Sequence, residues 1–153
     1  MPLAGRTRTL ALAGQFLVAA QFALIAWLIW PFTAQHWSPI ALALVGAAAL
    51  LGAWTLAHNR PGNFNIRPQA KAGAQLVTGG PYRFVRHPMY SAVLLFALSE
   101  VLAYADPWKI LAALLLAAVL LAKAVLEERA LAAQFADYPA YAARVRRIIP
   151  GVI

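Results

Sequence analysis

Cysteine is absent from the sequence, which excludes disulfides, thiolate metal sites and a cysteine nucleophile. Charge is thin as well. Only 12% of the 153 residues are charged, 5 of them acidic against 13 basic, where soluble domains carry about 25%. So few charges cannot clothe a water-facing surface. Alternating strand patterns and internal repeats are also missing, which removes β-barrels and solenoids from consideration. What remains is apolar: 63% of the chain, against about 45–50% in soluble domains. These are the proportions of an integral membrane protein. The formal charge of +8 would point to nucleic acid in a soluble chain, but here the basic residues sit between and beyond the apolar runs. They are expected to orient the chain in a lipid bilayer, with no nucleic-acid partner.

Four stretches approach the roughly 20 helical residues that cross a bilayer: 9–30, 39–57, 88–104 and 107–126. Rich in alanine and leucine, they are expected to be helices, since in lipid only a helix closes its own hydrogen bonds without a partner strand. The fold class expected is all-α, a single membrane-embedded domain of four transmembrane helices with a helical C-terminal tail. The first span is too long for a signal-peptide core of about 7–15 residues and is expected to be retained.

Lys and Arg are held on the cytoplasmic side during insertion. Arg6 and Arg8 precede the first span; Arg60, Arg67, Lys71, Arg83 and Arg86 separate the second and third; Lys123, Arg129, Arg144, Arg146 and Arg147 follow. Lys109 alone falls on the other side. Both termini, the 58–87 segment and the 127–153 tail are therefore expected on the cytoplasmic face. Trp30, Trp37 and Trp108 would form the outer aromatic belt and Trp54 the inner one. Short connections at 32–38 and 105–106 imply antiparallel neighbours, and Asp106-Pro107 reads as an N-cap and first helical position. Segment 58–86 is long, rich in Gly, Pro and Asn, and lacks a helical stripe. Such segments are functional or disordered.

Chemistry concentrates at two places. Arg86-His87-Pro88 opens the third span, with Tyr82 and Arg83 just before it and Tyr90 on nearly the same helical face as His87. Each residue has an ordinary explanation in positive-inside bias, aromatic belt or helix start; together they are harder to dismiss. Glu127 and Glu128 end the last span, where carboxylates oppose the helix dipole and call for compensation. Lys123 lies one turn before Glu127, either snorkelling to the interface or orienting an anion. Glu100 lies about 20 Å along the helix from His87, outside this cluster. Ala48 and Gly52 form a small-xxx-small pair suited to close helix packing.

These blocks resemble the isoprenylcysteine carboxyl methyltransferase family in its short, bacterial form. The likeness covers about half the chain: Leu76-Val77-Thr78-x-Gly80-Pro81-Tyr82, then Arg86-His87-Pro88-x-Tyr90, Glu127-Glu128, and Phe135 through Tyr138 and Tyr141 to Pro150. The resemblance implies a multi-pass protein of the bacterial inner membrane that uses S-adenosylmethionine at the cytoplasmic face and leaves S-adenosylhomocysteine. It implies cofactor contacts at Ala74, Gln75, Leu76, Val77, Tyr82, His87, Pro88, Met89, Tyr90, Glu127 and Glu128. Lys123 replaces the family's substrate-orienting arginine, keeping the charge and losing the bidentate fork. With Arg86 it is the expected catalytic, acceptor-placing group.

Methyl transfer from a sulfonium is an in-line displacement that requires alignment and exclusion of water rather than a metal. A lipophilic carboxylate, free or on a lipidated molecule, is the expected acceptor, already nucleophilic. A phospholipid amine or small hydrophobic metabolite is the alternative, and an ammonium acceptor would first need a general base such as His87. In another class, the chain would be a small four-helix transporter using Glu100.

Overall fold

The computed structural model describes residues 3–30, 37–59 and 75–152, the stretch 3–11 as backbone alone. Ala74, Arg60, Arg67 and Lys71, with the rest of 60–74 in the expected 58–87 cofactor segment, lie outside the described residues. Among the described residues the helices are, in order, α1 (Leu3–Ile29), α2 (Pro39–His58), α3 (Pro88–Tyr104), α4 (Pro107–Gln134) and α5 (Tyr138–Arg144), with a 3-10 turn at Gly80–Arg83 before α3.

Prolines at the first turn start α2, α3 and α4, where a missing N–H costs nothing. Ser38 caps α2 by accepting from Ala41 N at 3.2 Å, and Asp106 caps α4 by accepting from Trp108 N at 3.0 Å. The Asp106 cap is as the sequence predicts. α3 ends at Ala105, whose φ of 52° and ψ of 33° place it in the left-handed region that usually takes glycine.

Among the described residues, three helices are long and apolar enough to cross a membrane: Leu12–Ile29 within α1, Pro39–His58 and Pro107–Gln134. α3 is not one of them. Its 17 residues span about 25 Å at 1.5 Å per residue, short of a hydrocarbon layer of about 30 Å. It also buries Ser99 and Glu100 in its second half. The expected four-span bundle is therefore corrected to three spanning helices with α3 packed among them. With three spanning helices, the placement of both termini on the cytoplasmic face, expected from the Lys and Arg distribution, is not retained.

α2 packs chiefly on α3, while α1 packs on α4 and touches α3. The short connection before α2 thus does not make α1 and α2 the principal pair, contrary to the hairpin expectation. Small residues set the α2–α3 seam: Ala48 is buried, and a methyl group at Gly52 would stand 4.0 Å from Ala92 Cβ. Leu28, Ala97, Ala112, Leu116, Leu120 and Ala124 form the core between α1, α3 and α4, joined at one end by Tyr90 and Ile148. At the other end Lys109 donates to the carbonyls of Trp27, Leu28 and Trp30 at 3.3, 2.5 and 2.5 Å, closing the C-terminus of α1. Trp27, Trp30 and Trp108 line a cavity of about 660 Å³ beside it.

α5 and the extended residues after it fold back under α3. Val85 pairs in parallel with Arg146, Arg86 N donates to Arg146 O at 2.7 Å, and His87 N to Arg147 O at 2.8 Å. Ser91 Oγ donates to Ile148 O at 2.6 Å. The tail is thus pinned to the loop before α3, with Tyr138, Tyr141 and Ile148 buried.

Candidate active site

Proline at position 88 forces the residue before it out of the helix, and His87 accordingly has φ −124° and ψ 63°. Its backbone N–H turns to the tail, while its carbonyl accepts from Tyr90 N at 2.9 Å. One helical turn on, the Tyr90 ring stacks on the imidazole, centroids 5.2 Å apart and planes 6° from parallel. Both rings meet the glutamate pair of α4.

The two glutamates have different surroundings. Glu128 Oε1 accepts from Arg86 Nε at 3.0 Å and Arg147 Nε at 3.0 Å, lies 3.0 Å from Arg86 Nη2, and stands 3.2 Å from His87 Nε2. Arg147 Nε also reaches Oε2, at 2.9 Å. With 11% of its side chain exposed, Glu128 is consumed by cations. Glu127 meets no arginine in the described structure. Tyr90 Oη donates to its Oε1 at 2.6 Å, His87 Nδ1 lies 3.4 Å from its Oε2, and 20% of its side chain stays exposed. Glu127 therefore has acceptor capacity left.

Arg86 spends its remaining donors on the end of α5: Nη1 donates to Ala142 O at 2.7 Å and to Val145 O. These are carbonyls that a helix terminus leaves unpaired, so Arg86 acts as a C-cap in trans. Tyr141 Oη donates to Tyr82 O at 2.7 Å, fastening α5 to the 3-10 turn.

Burial alone would lower the His87 pKa, but hydrogen bonds and charge from Glu127 and Glu128 outweigh it and hold the pKa above its ordinary value. The two carboxylates thus favour the protonated form of the ring that lies between them. Burial, with Glu127 nearby, pushes the Tyr82 hydroxyl up to about 12. Burial also raises Tyr141 to about 12, against the pull of Arg86. Both phenols stay neutral donors. Tyr138 Oη is buried and finds no hydrogen-bond partner among the described residues.

Lys123, on the same end of α4, is 2% exposed and donates to Gln21 Oε1 of α1 at 2.5 Å. Its Nζ stands 5.2 Å from the centroid of the Tyr90 ring. The fold thus gathers Tyr82, Arg86, His87, Tyr90, Lys123, Glu127 and Glu128 into one cluster. Gln75, Leu76 and Val77 lie in the irregular stretch leading to the 3-10 turn, and Pro88 and Met89 form the first turn of α3. Glu100 is buried towards the opposite end of the bundle, in the field of Lys109. Sequence reasoning missed Gln21 and Arg147 as members of the cluster. A lone glutamine inside an apolar span was the available signal for the first; nothing distinguished Arg147 from its basic neighbours.

A helical membrane protein with this cluster at one end of its bundle has the build of an integral-membrane methyltransferase using S-adenosylmethionine. Residues 39–138 match the family model described as phospholipid methyltransferase, and the chain belongs to that family. No curated protein matches it. The protein is an S-adenosylmethionine-dependent methyltransferase. The family assignment overturns the expected carboxyl methylation: it fits methylation of a lipophilic, phospholipid-type acceptor at an amine. The resemblance to isoprenylcysteine carboxyl methyltransferases holds for the membrane setting and the cofactor, not for the acceptor. Lysine at position 123, without a guanidinium's bidentate fork, fits that correction.

Proposed function

We propose that the protein methylates the amine headgroup of a phospholipid with S-adenosylmethionine, at the end of the bundle where α3, α4 and the tail meet. The observation that carries the reading is the division between the glutamates: Glu128 is spent on Arg86 and Arg147, while Glu127, held by Tyr90, keeps free acceptor capacity. A cationic amine and a cationic sulfonium both need such a carboxylate.

The residues suit the cofactor. Its amino and ribose groups are donors that Glu127 accepts, and the unpartnered buried Tyr138 Oη is a polar atom that a bound ligand would satisfy. Tyr82, His87, Pro88, Met89 and Tyr90 would form the wall around it, with Gln75, Leu76 and Val77 approaching from upstream. When bound, the cofactor supplies the methyl group on its sulfonium. Everything else falls to the chain. The attacking nitrogen must shed a proton before its lone pair is free, and the partly exposed Glu127 carboxylate gives that proton a route to water. Lys123 takes the phosphodiester of the headgroup, placing the amine in line. Arg86 and Glu128 position the tail rather than touch reactants. The arginines Arg83, Arg86, Arg129, Arg144, Arg146 and Arg147 near this end support a cytoplasmic orientation, in a bacterial inner membrane.

The test is purified protein in mixed micelles with methyl-labelled cofactor and lipid extract. Label is expected in mono- and dimethylated phosphatidylethanolamine; label confined to carboxylate-bearing lipids would reject the amine acceptor.

A further inference from the structure

Two lysines are buried in this bundle to the same extent, Lys109 and Lys123, each 2% exposed. Their hydrogen bonding differs. Lys109 has three backbone carbonyls for its three protons, so it is saturated as a helix cap. Lys123 has one acceptor among the described residues, Gln21 Oε1. Two ammonium donors remain without an acceptor there, beside Tyr90 and in the field of Glu127. A buried ammonium left in that condition is costly unless an anion completes it. Gln21 itself is 9% exposed and sits on α1, outside the matched residues 39–138.

We infer that Gln21 is a positioning residue for the acceptor: it fixes the Lys123 ammonium over the Tyr90 ring so that the two remaining donors receive a phosphodiester oxygen of the lipid headgroup. The inference rests on the reading of Lys123 as the acceptor-phosphate group. A neutral amide suits the task because it orients the cation without neutralising it. A carboxylate in its place would hold the same geometry and compete with the phosphate. α1 is then part of the site, and specificity for a phosphate-bearing acceptor depends on a helix that the family match does not include.

The experiment compares wild type, Gln21→Glu and Gln21→Leu as full chains in mixed micelles. For Gln21→Glu, KM for phosphatidylethanolamine is expected to rise about tenfold, with KM for S-adenosylmethionine within about twofold and no loss of thermal midpoint. Gln21→Leu is expected to raise the same KM, with a lower midpoint. A Gln21→Glu protein that keeps the wild-type lipid KM, or in which both KM values rise equally, would show that Gln21 only satisfies a buried charge; if Gln21→Glu does not fold, Gln21→Leu decides by the same split. Phosphatidylglycerol, which has the phosphodiester and no amine, serves as the second probe: it should inhibit wild type more strongly than either variant, and equal binding overturns the inference. Should wild type methylate no amine lipid, the acceptor reading fails on its own, and direct phosphatidylglycerol binding still judges Gln21.

Discussion

Arg86 and Glu128, 42 residues apart, are joined through both Nε and Nη2 of the guanidinium at 3.0 Å, with 11% of each side chain exposed. The same arginine caps α5, so one side chain ties the start of α3 to α4 and to the tail. Removing it leaves a buried carboxylate short of a cation and two carbonyls bare. Arg86→Ala is expected to destabilise the protein by about 3 kcal/mol, seen as a lower thermal midpoint in detergent and faster proteolysis of the tail. Arg86→Lys should rescue little, because a point charge cannot serve three directions.

Tyr90→Phe probes the other glutamate. It removes the 2.6 Å hydrogen bond to Glu127 and leaves the ring stack and the fold. A hydrogen bond to a charged group is worth about 1.5–3 kcal/mol of stability, so the thermal midpoint should fall, and cofactor affinity should drop with it because Glu127 loses the group that orients it. Calorimetry with S-adenosylhomocysteine measures it; full affinity in the variant would mean that Glu127 needs no orienting partner.

His87 makes stability depend on pH. Its folded pKa lies above the unfolded value, so its contribution is complete below the ordinary histidine pKa of about 6.5 and is lost as pH rises through the folded pKa. The thermal midpoint should therefore fall as pH rises above about 6.5. In His87→Gln that slope should flatten; a slope that persists would assign it to another group.

Gly80 adopts φ +54°, and a methyl group there would run into the His58 imidazole. Gly80→Ala should misplace the 3-10 turn that carries Tyr82 and cost about 1–2 kcal/mol for the left-handed backbone alone. Adding His58→Ala should recover only the steric part. Activity and midpoint of the single and double variants separate the two contributions.

Much of the site was legible because its local chemistry is strong. Pro88 fixes where α3 begins and what His87 cannot do; the spacing of Tyr90 from His87 puts their rings together; Glu127 and Glu128 at the end of an apolar helix demand partners. The packing was harder to read. These helices are apolar on nearly every side, since lipid-facing and core-facing positions take the same residues, so no stripe reveals that α1 leans on α4 rather than α2. The 17 residues of α3 are as apolar as the spanning helices, so composition does not set it apart from them. The different loads on Glu127 and Glu128 could not be read at all, because they depend on Arg147 returning from 19 residues downstream.

The parallel pairing of Val85 with Arg146 has a consequence in time. Chains are made from the N-terminus, and the three long helices can enter the bilayer while residues 145–148 are still to be added. Until those residues arrive, Glu128 lacks Arg147, and His87 N lacks its carbonyl. A nascent chain already anchored in lipid therefore has no finished site until the tail docks.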